Sequence, residues 1–70
     1  MSIASSLGKM KLATKDLRAQ WHTVRQTWRD DNSRRFEEQY LAPLLGRLRR
    51  TEMAMSHMTS ILQKARHDCE

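Results

Sequence analysis

One cysteine, one proline and two glycines in 70 residues leave few means of stapling or turning the chain. The single thiol, Cys69, rules out a disulfide within one copy. Proline and glycine are too scarce to mark the many tight turns of an all-β domain. Aromatic residues make up only 6% of the chain, and no apolar run approaches the roughly 20 residues a membrane span needs. The opening residues lack the basic-then-apolar layout of a secretory signal. A lone thiol suits a reducing compartment, so the expected location is the cytoplasm.

What the chain does have is a rhythm. Ile3, Leu7, Met10, Thr14, Leu17, Trp21, Val24 and Trp28 alternate in steps of four and three. The same spacing resumes at Leu41, Leu44, Leu48, Thr51, Met55, Met58, Leu62 and Ala65. Each series puts one apolar stripe on one helix. The fold expected is all-α: a single antiparallel two-helix hairpin spanning residues 1–70. Its first helix covers about residues 5–28 and its second about 33–67.

The break falls at residues 29–32. Asp30, Asp31, Asn32 and Ser33 are all good helix N-caps. Ser5 or Ser6 is placed to cap the first helix. Asp30 with Arg34 and Asp31 with Arg35 form i,i+4 pairs of favourable polarity. Pro43 lies inside the second helix, where a proline removes one backbone bond at a cost of about 3 kcal/mol if nothing adapts. A kink and a complete break are both open there, and the unbroken phase of Leu41, Leu44 and Leu48 favours the kink. Folding at residues 30–31 brings Arg25 near Glu38 and Lys11 near Glu52. It also leaves Ile61 to Cys69 overhanging the shorter first helix.

Two helices with one stripe each cannot enclose a core, and a chain this short buries only about 60% of its unfolded surface even when globular. Disulfides being excluded, self-association is the expected remedy. Leu7, Met10, Leu17, Trp21, Val24 and Trp28 should meet Leu41, Leu44, Leu48, Met55, Met58 and Leu62 across the seam. Phe36, Tyr40, Leu45 and Ile61 widen the second stripe and are the candidate contacts between subunits of a four-helix bundle.

The net charge is +5. Six basic residues stand between Lys9 and Arg29 against one acid, Asp16, whereas Asp30 to Glu52 holds five acids. A basic helical module that binds nucleic acid is therefore the alternative reading, with Arg47, Arg49 and Arg50 adding to the first helix. No helix-turn-helix or aromatic platform accompanies those charges. Catalysis is not expected: no nucleophile–base order, phosphate loop or carboxylate pair can be defended. His67, Asp68 and Cys69 point about 100° apart on a helix, and His22 and His57 are not spaced to join them, so no metal or other cofactor is expected.

Trp28, Asp30, Phe36 and Tyr40 form a further pattern: a Trp ending the first helix, then aromatics eight and twelve residues on. This resembles the WXG (ESAT-like) superfamily of small helical hairpins linked to specialised bacterial secretion. The resemblance implies a homodimer, or a heterodimer with a similar hairpin, and export without a signal peptide as the alternative localisation. Separately, the apolar stripes are needed for packing, so no membrane partner is expected, and a two-helix element offers no enclosed pocket for a small-molecule substrate. Asp30 stands where that family has glycine, and Leu44 stands where its Tyr-plus-four export signal would need an acid.

Overall fold

The computed structural model describes residues 2–69, which are helical apart from Ser2 and the turn at residues 26–30, with no strand among them. The elements are α1 (Ile3–Arg25), α2 (Asp31–Phe36), a π-helical segment (Glu37–Leu41) and α3 (Ala42–Cys69). Phe36, Glu37 and Ala42 all keep right-handed helical dihedrals. α2, the π segment and α3 therefore make one continuous rod, laid back along α1 as a helical hairpin.

Local chemistry sets the ends. Ser2, in an extended conformation, caps α1 by accepting the Ser5 amide on its hydroxyl at 3.1 Å. The helix thus begins before Ser5 and Ser6, and the half-buried Ile3 joins the seam. At the other end α1 stops at Arg25, short of Trp28, because its last turn tightens. The Gln26 and Thr27 amides bond back three residues to Thr23 and Val24 at 3.2 Å. The Arg29 Nε donates to the Arg25 carbonyl at 3.1 Å, occupying one of the acceptors a helix end leaves open.

Asp30 caps α2: its carboxylate accepts the Ser33 amide at 3.0 Å, and the Ser33 hydroxyl donates to the Asp30 carbonyl at 2.8 Å. Asp30 is thereby committed to the cap, and the pairs predicted with Arg34 and Arg35 give way to Asp31 bonding Arg34. At φ −82 and ψ −177 Asp30 is extended backbone. A turn of this shape needs no glycine. Asp30→Ala should cost about 1 kcal/mol and Asp30→Gly only a few tenths, a ranking that thermal unfolding of the two variants measures.

The rod passes Pro43 unbroken. Proline has no N–H, and its ring crowds the carbonyl four residues back, here Gln39. Directly upstream the turn widens, and the Ala42 amide reaches the Glu37 carbonyl five residues back. The extra residue in that turn spreads the carbonyls the proline ring must sit over.

The second rod packs through a flank different from the predicted one. Leu41, Leu48 and Met55 face α1 as expected, with Leu41 only 4% exposed. Their companions, however, are Leu45, Glu52 and Thr59, each half-buried. Leu44 and Met58 are left 45% and 47% exposed, and Thr51 is exposed too. With apolar residues at both 44 and 45, the second stripe is wider than one neighbour can cover. Helix one uses its expected face: Leu7 and Thr14 are buried, Met10, Leu17 and Trp21 half-buried, Val24 and Trp28 at the exposed margin. The predicted overhang shrinks as well, because Ser2, Ile3 and Ala4 share a groove with Leu62, Gln63 and Arg66.

The result is a rod of 58 × 18 × 13 Å with a radius of gyration of 16.7 Å. A globular chain of this length would have a radius near 11 Å. Its accessible surface is 6003 Å², against about 4,600 Å² for a compact monomer of its mass.

Candidate functional site

At the hairpin's closed end four aromatic rings cluster, Trp21, Trp28 and Phe36 as a triangle and Tyr40 beyond Phe36. Trp21 lies 5.3 Å from Phe36 and 6.0 Å from Trp28, in the latter case edge-on at 82°. Phe36 is 6.1 Å from Trp28 and 5.9 Å from Tyr40. Such pairs contribute about 0.5–1.5 kcal/mol each beyond buried area. The cluster runs from inside to outside: Trp21 is half-buried, while Tyr40 at the far end is 65% exposed. Trp28, Phe36 and Tyr40, singled out together with Asp30, thus form one cluster beside the capped turn.

Polar groups pin the seam in two places. The Glu37 carboxylate accepts from the Trp21 indole N–H at 3.0 Å and from the Arg25 guanidinium at 3.1 Å. The partner of Arg25 is therefore Glu37, not Glu38, because the widened turn presents Glu37 to α1. Farther along, the Thr14 hydroxyl lies 2.9 Å from the Met10 carbonyl and 3.0 Å from the Glu52 carboxylate. Glu52 faces Thr14 rather than pairing with Lys11. Spacing alone found the right neighbourhoods for both contacts; the partner shifts by one residue on the second rod in the first, and from Lys11 to Thr14 on α1 in the second.

The outer side of α3 has no such neighbours. Leu44, Met58, Ile61 and Leu62 are 45%, 47%, 47% and 45% exposed, and Tyr40 and Thr51 continue the line toward the aromatic cluster. One shallow apolar groove beside Ile3 is lined by Thr51, Ala54, Met55 and Met58 and opens onto this stripe. Arg50 lines that groove as well, and Arg47 lies in phase with the stripe. Leu45, predicted between subunits, instead lies in the seam. Ile61 lies on the exposed side.

Chemistry-bearing groups do not converge. Among the described residues no three His, Cys, Asp or Glu side chains come together as metal ligands. Cys69 is exposed. A polar concavity of about 480 Å³ is lined by His22, Arg25, Gln26, Arg29, Ser33 and Arg34 at the turn. No described helix is long and apolar enough to cross a membrane. No protein-family model, curated protein or solved structure matches the chain.

Proposed function

We propose that this protein is a non-enzymatic interaction protein that works as a dimer of itself, two hairpins joining through the outer stripe of α3 into an elongated four-helix bundle. The observation that carries this reading is the run of half-exposed side chains at Leu44, Met58 and Leu62 along one flank of α3, with Ile61 beside it. Area supports it. Two separate copies expose about 12,000 Å², whereas one compact particle of the doubled mass exposes about 7,600 Å². The difference, an upper bound of about 4,400 Å², lies in the range of obligate homodimers.

Arg47 favours one orientation over the other. A parallel pairing would set Arg47 against the partner's Arg47 within the apolar stripe. An antiparallel pairing centred on Thr51 offsets those two by eight residues, about 12 Å along the helix. It also sets Leu44 against the partner's Met58, and Tyr40 against the partner's Leu62. Such a contact is isologous and closes at two copies. The hairpin, its length and the Trp28–Asp30–Phe36–Tyr40 turn support a role like that of WXG-type proteins, in the cytoplasm or exported from it.

Single cysteines in a Cys69→Ser background test the arrangement. Under oxidation Thr51→Cys should cross-link to itself. Leu44→Cys and Met58→Cys should cross-link only when mixed with each other. Self-linking of both Leu44→Cys and Met58→Cys means a parallel pair; no linkage at any of the three positions rules out this face.

A further inference from the structure

Lys11, Lys15, Arg18, His22 and Arg25 recur along α1 in steps of four and three, and Arg29 follows four residues later. At about 100° per residue the five that lie in α1 fall within roughly 40° of a single line. All are exposed. Arg29 lies beyond the helix, but its bond to the Arg25 carbonyl holds it at the same edge, where it lines the turn concavity with His22 and Arg25. The ridge's helical part, Lys11 to Arg25, is about 21 Å long at 1.5 Å per residue. Asp16, the only acid in α1, points about 140° away from it.

Little neutralises this line. Arg25 shares its charge with Glu37. Among the described residues Lys11, Lys15, Arg18 and Arg29 have no carboxylate within ion-pair distance. Glu52, across the seam, is turned toward Thr14. The ridge lies about a quarter turn around α1 from the seam and owes nothing to the exposed stripe of α3. It belongs to each single copy, whatever the chain's oligomeric state.

We infer that this ridge binds the phosphate backbone of double-stranded nucleic acid without regard to sequence. An apolar patch is what protein interfaces place at their centre, and the ridge has none. A helix that lies on a membrane needs an apolar face for the lipid, and that of α1 is spent on the seam. Phosphates ask only for a line of cations, and contacts to them position a protein without reading bases. Cations 4.5 and 6 Å apart along a straight edge supply such a line.

The test is fluorescence anisotropy with a labelled 20-base-pair DNA duplex of mixed sequence, titrated between low and moderate salt. Four unpaired cations predict a slope of about −3.6 in log affinity against log salt per copy bound. Lys15→Glu combined with Arg18→Glu should weaken binding more than tenfold and bring the slope to about −1.8. Arg49→Glu with Lys64→Glu makes the same change in net charge on α3, away from the exposed stripe, and should stay within threefold of the parent. Circular dichroism checks that both variants keep their helices, and both pairs are exposed in the hairpin. The proposal is overturned by no binding at the lowest salt, or by equal losses in the two variants, which would reduce the effect to net charge. Tighter binding to polyglutamate or to vesicles of anionic phospholipid than to the duplex overturns it as well.

Discussion

Leu44→Asp together with Met58→Asp should turn the protein into a monomer with a much lower melting temperature that no longer depends on protein concentration. The proposed contact is two-fold, so each substitution acts twice in one dimer. Each side chain is about half exposed in the single hairpin. Covering the remainder contributes about 1 kcal/mol per site, half of what full burial of a leucine or methionine gives. Four such sites amount to about 4 kcal/mol, or about a thousandfold in the dissociation constant. Four carboxylates left in an apolar seam add their desolvation cost to that loss. The control is Leu12→Asp: Leu12 is 65% exposed on α1, away from the stripe, and the same charge there should leave the dimer intact. A double variant that sediments like the parent would remove α3 from the interface.

Leu41→Ala should be the most damaging single truncation. Leu41 is 4% exposed, closes the π-helical turn and faces α1 beside the aromatic cluster. Truncating a buried leucine costs about 2–5 kcal/mol, and the lower half of that range suits a thin two-layer seam that relaxes easily. A chain of this length has only about 3.5–10 kcal/mol in total. Against that, about 2–3 kcal/mol lowers the melting temperature by about 10–20 °C. Leu12→Ala should change it by less than about 0.5 kcal/mol. Similar losses at Leu12 and Leu41 would mean that the second rod does not pack through Leu41.

How far the sequence revealed this hairpin depends on the side chain considered. The α1 stripe was legible because a single neighbour covers it, so periodicity and burial coincide at Leu7, Thr14 and Trp21. The turn was legible because four consecutive residues can cap a helix, and Asp30 does. α3 was ambiguous because Leu44 and Leu45 are both apolar, and periodicity does not say which of two flanks the neighbour takes. The choice rests on long-range polar contacts, Glu52 to Thr14 and Glu37 to Trp21 and Arg25, that spacing along one helix does not encode. The π-helical segment was hidden too, although Pro43 marked the place where something had to give. A carbonyl crowded by the proline ring can be relieved by a kink, a break or a widened turn, and all three carry the same sequence signature.

The exposed stripe on α3 and the basic ridge on α1 lie on different sides of the hairpin, so pairing leaves the ridge free. A dimer would carry two such ridges, and simultaneous contact with one duplex would strengthen binding beyond that of either alone.

Sedimentation equilibrium of the unmodified protein across a wide concentration range tests the central claim most directly. The account predicts a mass of twice 8.3 kDa, falling toward the single-chain value only on extreme dilution. A homogeneous species of 8.3 kDa at every concentration, with helices that melt cooperatively, would contradict it.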